Sequence, residues 1–282
     1  MGNITLCCVD CVSPHLALRA LQLSQSALPF AKTLLITDKL VEQSGIEILP
    51  IPTLCSVEEY SHFMVKRLAD HISTSHVLIV QWDGYIINPS YWTDEFLEYD
   101  YIGAIWEFHN DSFRVGNGGF SLRSKRLLEA LRDPEISEYH PEDEVICRKY
   151  RPLLEQRYGI RFSPEELAKR FSFETSIPQE LPFGFHALHN IGTTISPDEL
   201  PGLIFQFPQN IVKSNQYLLL AKYYLKQKDF DAANILISYR TKLFKNDREA
   251  LALKSKIDTL AKLAKISTAL RSILRLSSQQ NN

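Results

Sequence analysis

The stretch His76-Val77-Leu78-Ile79-Val80-Gln81-Trp82-Asp83-Gly84 begins with five residues, four of them apolar, and continues into a polar segment that ends at a glycine. A short apolar run of this kind is typical of a strand buried on both faces of a parallel sheet. Gln81 and Asp83 should therefore lie at the carboxyl edge of the strand, where open α/β sheets bind ligands. The alternative is that Asp83 only caps a turn, and the local sequence does not separate these two interpretations.

The pattern on either side of this strand predicts an α/β fold. Before it, the sequence predicts strands at 4–9, 32–37 and 46–51 and helices at 14–27 and 58–73. After it, strands are predicted at 101–106 and 115–122, helices at 124–131 and 141–158, and an irregular cap over the sheet edge at 172–190. The β-α-β-β-α-β order favours a mostly parallel sheet flanked by helices.

The composition changes after Pro208, because residues 212–277 contain neither Pro nor Gly. We therefore expect two domains, an α/β domain at 1–208 and a small all-α segment at 209–282. Six residues fall at the spacings of a tetratricopeptide repeat: Tyr217, Leu220, Ala221, Tyr224, Ala233 and Ile237. A helical hairpin is predicted, but a true repeat stays open because the downstream Pro is missing and one repeat rarely folds alone.

The last predicted helix carries an apolar stripe with basic residues beside it. The stripe consists of Leu263, Ile266, Leu270 and Ile273, and its flanks are Lys262, Lys265, Arg271 and Arg275. Such a helix can lie on an anionic membrane surface. The alternative is that the stripe packs on the preceding helices. A helical hairpin such as the predicted one commonly presents a binding groove, so a protein partner is the other candidate for the C-terminal helices.

The net charge and the number of cysteines limit which partners and which cellular compartment we expect. With 31 basic and 33 acidic residues the net charge is -2, which gives no reason to expect nucleic acid. Five cysteines, an odd number, suggest free thiols in a reducing compartment. No signal-peptide pattern follows Met1 and no apolar run approaches a membrane span. We therefore expect a cytoplasmic protein, peripheral at the inner face of the membrane if its last helix binds lipid.

Three further stretches contain residue types that can carry chemistry. In Gly116-Asn117-Gly118-Gly119-Phe120-Ser121-Leu122-Arg123, paired glycines allow close approach of a ligand and supply positive φ, although a tight turn explains them too. Arg123, near a helix start, could meet a phosphate or lie in solvent.

The other two are acidic and aromatic. In His140-Pro141-Glu142-Asp143-Glu144, three acids in a first helical turn suit the helix dipole, and the same position keeps a general base ionised. In Phe183-Gly184-Phe185-His186, the histidine is either a metal ligand or a packed side chain.

The order of these stretches resembles the nucleotide-sugar glycosyltransferases of the type A fold (GT-A). The closer resemblance is to an uncharacterised, mainly bacterial family of galactosyltransferase-like proteins. It rests on the Val80–Gly84, Gly116–Arg123 and Pro141–Asp143 stretches, covers about residues 1–190 and excludes the helical tail.

The resemblance implies a role for each matching residue. Asp83 and His186 become ligands of a divalent cation, Mn²⁺ or Mg²⁺, although Gln81 stands where the first Asp of the usual motif would be. Asp143 becomes the base and Glu142 orients the acceptor. The expected donor-binding residues are Asp10, Asp38, Gln81, Asp83, Gly118, Gly119 and Arg123, of which Asp10 and Asp38 rest on topology alone.

The resemblance thus implies a hexosyltransferase. It would transfer a sugar from a nucleotide diphosphate sugar, expected to be UDP-linked, to a hydroxyl of a glycan or lipid-linked acceptor. The reaction would invert the anomeric centre. The alternative is a non-catalytic nucleotide-sugar-binding or protein-interaction module on a degenerate transferase fold.

Overall fold

The structure is a computed structural model that describes residues 2–196 and 198–279, with side chains described up to residue 267. It divides by internal contacts into two compact units, Met1–Asn190 and Ile191–Asn282. Residues 191–208, which the composition groups with the α/β domain, therefore fall in the second unit.

A six-stranded sheet of order β3-β2-β1-β4-β6-β5 forms the centre of the first unit. Its strands are β1 Ile4–Val9, β2 Lys32–Thr37, β3 Glu47–Pro50, β4 His76–Val80, β5 Tyr101–Ile102 and β6 Phe120–Ser124. The first four run parallel, while β6 is antiparallel to both β4 and β5. This arrangement confirms the predicted α/β class with a mostly parallel sheet.

Helices flank this sheet. They are α1 Pro14–Ala27, α2 Val57–His62, α3 Lys125–Ala130, α4 Glu142–Glu144, α5 Arg151–Tyr158 and α6 Glu165–Phe171. The two helices predicted at 58–73 and 141–158 are each interrupted by a wider π-type turn, at Phe63–Arg67 and Val145–Lys149. Such turns are frequently found at functional sites.

The strand predicted at 115–122 is wrong at its beginning, because β6 starts only at Phe120. Asn117 has a φ of 61°, in the left-handed region, so the backbone before β6 cannot be extended there. Likewise, the strand predicted at 101–106 is shortened to two residues.

The core lies on both faces of the sheet. In β1, Cys7 and Val9 pack with the side chains on one face, while Leu6 and Cys8 pack on the other. Because both faces are covered, the parallel strands are continuous apolar runs without alternation. All five thiols are free, and Cys55 alone among them is exposed.

The parallel strands bring three acids to one edge of the sheet. Asp10 directly follows β1, Asp38 directly follows β2, and Asp83 lies three residues after β4. Since β1 pairs in parallel with both β2 and β4, these residues share the carboxyl edge.

The cap segment at 172–190 contains two short parallel strands, β7 Ser172–Phe173 and β8 Gly184–Phe185. The backbone N–H groups of Ile87 and Asn88, which follow β4 in the chain, donate to the carbonyl of Phe183 at 3.0 and 3.2 Å. These bonds fix the segment that carries His186.

The second unit is helical, with α7 Leu200–Ile204, α8 Gln209–Lys213, α9 Asn215–Lys226, α10 Phe230–Leu243 and α11 Arg248–Gln279. Helices α9 and α10 form the predicted hairpin, and the six residues at repeat spacing are all buried. The hydroxyl of Tyr217 donates to the carbonyl of Leu236 at 3.1 Å and ties the two helices together. Membership of the tetratricopeptide class stays a prediction.

The described part of the apolar stripe on α11 is exposed. Leu263 and Ile266 have 56% and 57% of their surface accessible. The side chains of Leu270, Ile273, Arg271 and Arg275 lie outside the described residues. Among the residues that the structure describes, no helix is both long enough and apolar enough to cross a membrane.

Candidate functional site

Gly118 and Gly119 lie at the centre of the predicted site, and both are required for space. A Cβ atom on Gly118 would lie 2.1 Å from Oε1 of Glu142, and one on Gly119 would lie 2.1 Å from Nε2 of His186. The glycines with positive φ in the described chain are Gly45 and Gly159, so the prediction that this pair supplies positive φ is wrong. Glu142 and His186, one against each glycine, would have to move to admit a Cβ atom.

Arg123 is fully buried against the Gly118 side. Its Nη2 donates to Oε1 of Glu142 at 2.7 Å and to the carbonyl of Gly118 at 3.3 Å. Its guanidinium lies over the ring of Tyr101, 5.4 Å from the centroid. The sequence placed Arg123 near a helix start, in reach of a phosphate or solvent, but it belongs to strand β6 and α3 begins only at Lys125. Its position in the core assigns it to neutralising Glu142.

Glu142 is also held in the interior, with 7% of its surface exposed. Its Oε1 accepts from Arg123 and its Oε2 accepts from the backbone N–H of Asp143 at 2.8 Å. Since both oxygens are engaged, the carboxylate holds its neighbours in position. The expected role of Glu142, to orient the acceptor, stays a prediction.

Asp143 is the acid of this cluster whose pKa is raised. Its Oδ2 accepts from the backbone N–H of Gly118 at 3.2 Å, and its Oδ1 from that of Glu144 at 2.9 Å. Burial, and next the charge of Glu142, raise the pKa of Asp143 to about 6. A carboxylate with a pKa close to neutrality matches the requirement for a general base.

His186 occupies the other side, against Gly119. Its Nε2 lies 3.1 Å from Oε1 of Gln81 and 3.4 Å from Oδ1 of Asp83. Its Nδ1 lies 3.0 Å from Nδ2 of Asn117 and 3.3 Å from Oε1 of Glu174.

The electrostatic environment of His186 favours positive charge. Burial lowers the pKa of this imidazole, but Asp83 and Glu174 more than offset that effect and raise the pKa to about 10. Two carboxylates that face one buried ring therefore make this position attractive to a cation, whether a proton or a metal ion.

Gln81 is fixed by a partner that the sequence did not point to. Its Nε2 donates to the hydroxyl of Tyr60 on α2 at 3.0 Å, which leaves Oε1 directed at His186. Burial raises the pKa of Tyr60 well above its usual range, so the phenol stays neutral.

The side chains around His186 fit a divalent cation that is shared with a ligand. Asp83 Oδ1 is buried, and its contact among the described residues is the ion pair with Nε2 of His186 at 3.4 Å, which is too poorly aligned for a hydrogen bond. Together with Nε2 of His186 and Oε1 of Gln81 it offers three donor atoms, and Glu174 stands behind Nδ1 as metal-binding histidines usually require. The described residues contain no cluster of three or more His, Cys, Asp or Glu placed to hold a metal. The donor set therefore suits the common Mg²⁺ mode, in which one carboxylate and substrate phosphates share the ion, and does not form a closed cage.

Asp10 and Asp38 lie beside this site with different environments. Oδ1 of Asp10 accepts from the backbone N–H groups of Val12 and Ser13 at 2.7 and 2.6 Å, which shapes the turn into α1. Burial raises the pKa of Asp10 above its usual value, and the charges of Asp83 and Asp38 add to that effect. Oδ2 of Asp38 accepts from Thr53 at 2.6 Å, and its Oδ1 is buried without a hydrogen-bond partner among the described residues.

Sequence reasoning missed Tyr60, Asn117 and Glu174. Asn117 lies inside the glycine-rich stretch that was singled out, and its polar side chain was the available signal. Tyr60 falls within the helix predicted at 58–73, and Glu174 falls in the segment predicted to be an irregular cap at 172–190. Neither could be assigned to the site without the tertiary fold.

One family profile matches the sequence. The family described as Protein of unknown function (DUF5672) matches residues 43–186, just over half of the 282 residues. This span contains Gln81, both central glycines, Glu142 and Asp143, and it ends at His186. No curated protein matches the sequence.

Solved structures resemble the chain at low identity. IspDF from Campylobacter jejuni has a TM-score of 0.38 at 11% identity and covers 57% of this chain and 48% of its own. The apo-form glycosyltransferase GlyE from Streptococcus pneumoniae TIGR4 has a TM-score of 0.41 at 12% identity, and the match covers 80% of this chain and 64% of GlyE. Mannosyltransferase PcManGT from Pyrobaculum calidifontis, in complex with GDP-Man and Mn²⁺, has a TM-score of 0.41 at 11% identity, and the match covers 96% of this chain and 87% of PcManGT. The chain thus spans less than two thirds of the first two proteins, and likeness at this level carries no argument about activity.

Proposed function

The chain belongs to the family described as Protein of unknown function (DUF5672), and from its own site we propose that it is an inverting glycosyltransferase using a nucleotide diphosphate sugar. The observation that carries the proposal is the pair of charged groups on either side of Gly118-Gly119. Asp143, with a pKa of about 6, accepts from the backbone of Gly118, and the Asp83–His186 pair lies against Gly119. A proton acceptor and a cation-favouring position are thus held within one glycine-lined edge of the sheet.

The chemistry follows from these positions. Asp143 takes the proton of the acceptor hydroxyl as the oxygen forms its bond to the anomeric carbon of the donor sugar. The bond from that carbon to the diphosphate oxygen breaks with its electron pair on the diphosphate. Attack from the face opposite the leaving group inverts the anomeric centre.

The other residues bind and position. Asp83, His186 and Gln81 would hold a Mn²⁺ or Mg²⁺ ion, which supplies neutralisation of the charge on the leaving diphosphate. Asp10 and Asp38, at the ends of β1 and β2, are proposed to meet the nucleoside. Glu142, held by Arg123, accepts from the backbone N–H of Asp143, and its charge adds to the effect of burial in raising the pKa of Asp143.

The test of this reaction class is an assay of donor hydrolysis and transfer with UDP- and GDP-linked hexoses, in the presence of Mn²⁺. We expect release of nucleotide from at least one donor. No release from any donor, with the protein folded, would contradict the proposal.

The cation has its own test. Dialysis against a chelator should remove turnover, and titration with Mn²⁺ or Mg²⁺ should restore it. Full turnover after dialysis would remove the cation from the proposal and leave His186 as the positive group beside the diphosphate.

The second candidate is a non-catalytic module that binds a nucleotide sugar or a protein. Gln81 supports it, because a neutral amide binds a cation more weakly than a carboxylate would, and the hairpin of α9 and α10 is of a type that commonly presents binding grooves. Donor binding without turnover under any metal condition would favour this candidate.

A further inference from the structure

A cavity of about 230 Å³ lies beside the candidate site and is not used by the proposed chemistry. It is lined by residues of the loop between β5 and β6, of helix α6 and of the cap segment. The lining residues that matter here are Glu107, Arg114, Ser172, Phe173, Glu174 and Ser176.

Glu174 forms the wall between this cavity and the site. Its Oε1 lies 3.3 Å from Nδ1 of His186, whereas Asp83 and Gln81 face Nε2 on the other edge of the ring. The cavity is therefore on the side of His186 that faces away from the proposed diphosphate position. A ligand in the cavity would therefore approach His186 through Glu174 and not through the edge of the ring that faces Asp83 and Gln81.

Two polar groups of the cavity lining have unused hydrogen-bonding capacity. Ser172 is only 2% exposed, and its Oγ has no hydrogen-bond partner among the described residues. Nε of Arg114 is also buried without a hydrogen-bond partner among the described residues, while Nη1 of Arg114 donates to Oε2 of Glu165 at 2.9 Å. An unpaired buried polar group costs about 1–3 kcal/mol, so such groups are usually explained by a ligand or water. A hydroxyl group of a ligand in the cavity that Ser172 lines would supply the missing partner.

The charge of the lining excludes a simple anion site. Two basic side chains, Arg114 and Lys169, face three acids, Glu107, Glu165 and Glu174. The hydroxyl of Ser176 already donates to Glu107 at 2.7 Å. The lining thus contains both hydrogen-bond donors and acceptors, and Phe173 contributes an apolar side chain to it.

We infer that this cavity binds a neutral sugar ring of the acceptor, through the Ser172 hydroxyl, Arg114 and the acids around them. A sugar offers hydroxyls that both donate and accept, and its C–H faces pack on aromatic rings. The identification of this sugar as the acceptor rests on the proposed function. The presence of a sugar-binding site does not depend on turnover.

The test uses four methyl glycosides, of glucose, galactose, mannose and N-acetylglucosamine, with binding measured by saturation-transfer NMR. At least one should bind the wild type, and Ser172→Ala should weaken it by about two- to tenfold, the usual contribution of one hydrogen bond. Ser163→Ala is the matched control, because Ser163 is also a buried serine with an unpartnered hydroxyl but does not line the cavity. Thermal melting temperatures of both variants should equal or exceed that of the wild type, since each loses a buried hydroxyl that has no partner among the described residues.

Three results would overturn the inference: no binding by any of the four glycosides, equal binding by Ser172→Ala and the wild type, or displacement of the bound glycoside by inorganic phosphate. Failure of the proposed function looks different. In that case the glycoside still binds in a Ser172-dependent manner, while no nucleotide sugar is hydrolysed by the wild type.

Discussion

Gly118 and Gly119 are neighbours in the chain, yet each lies against a charged cluster of a different kind. On the Gly118 side, Arg123 and Glu142 form a buried ion pair, and Asp143 is left with a raised pKa. On the Gly119 side, His186 lies between Asp83 and Glu174, and its pKa is raised as well.

The same direction of shift has opposite meanings for the two groups. A raised pKa makes Asp143 a better proton acceptor near neutral pH, because its charged form is the disfavoured one. A raised pKa makes the His186 position one where positive charge is favoured. A glycosyl transfer needs both, a base at the acceptor hydroxyl and positive charge at the diphosphate, on two sides of one backbone segment.

The largest effect that separates the two clusters is expected for Asp143→Asn. Loss of the base should lower donor turnover by about 10²–10⁴-fold, the usual contribution of general base catalysis, without removing donor binding. Turnover and nucleotide affinity should be measured on the same preparation.

The matched control for that variant is Glu144→Gln, the next acid in the chain. Glu144 is paired with His109 and Arg148 at 3.1 and 3.3 Å and takes no part in the proposed chemistry. Its turnover should stay near that of the wild type. Equal losses in the two variants would remove Asp143 from its proposed role.

Breaking the buried ion pair on the Gly118 side should lower the stability of the protein. Arg123→Met leaves Glu142 as an uncompensated buried charge, which should lower the free energy of unfolding by about 3–5 kcal/mol in a denaturant titration. Arg67→Met removes the exposed pair with Asp70, whose side chains are 62% and 40% accessible, and should cost about 0–1 kcal/mol. Similar costs for the two variants would mean that the Arg123–Glu142 pair is not structurally important.

Alanine at either central glycine should crowd one cluster at a time. Gly118→Ala pushes on Glu142 and Gly119→Ala on His186, and each should cost about 1–3 kcal/mol of stability. Gly202→Ala in α7, where a Cβ meets nothing within 4 Å, should be neutral or stabilising by up to about 1 kcal/mol. Thermal or denaturant unfolding that finds both central variants as stable as Gly202→Ala would contradict the close packing described above.

The pH profile of wild-type turnover tests the ionisation of Asp143 without any substitution. Its folded pKa is raised from 3.8 to about 6, and the ionised form is the active one, so turnover should rise with pH through about 6. At pH 5 it should be about one tenth of the plateau, since the ionised fraction falls about tenfold per unit below the pKa. A flat profile between pH 5 and 7, in a protein that stays folded, would contradict this assignment.

The sequence predicted the edge of the sheet better than the contacts within the site. Strands β1, β2 and β4 and helix α1 follow from local pattern, because continuous apolar runs and a proline at a helix start determine them. The acids that end those strands follow from the parallel order. These features depend on few long-range contacts.

The partners of Arg123, Glu142 and His186 could not be predicted in the same way. Arg123 lies on a strand that the antiparallel pairing with β4 turns inward, and an arginine in a core is expected only once its carboxylate partner is known. Glu174 reaches His186 through the pairing of β7 with β8, two strands of two residues each, which leave no periodic signal in the sequence. The reason for the two glycines likewise became clear only from the side chains packed against them.

Calorimetric titration of UDP- and GDP-linked hexoses with Mn²⁺, into the wild type and Asp83→Asn, tests most directly whether this edge of the sheet is a nucleotide-sugar site. The account predicts that at least one donor binds the wild type and that Asp83→Asn weakens its binding by more than about tenfold, through loss of a cation ligand. No binding of any donor to the wild type, or equal binding by the two proteins, would contradict it.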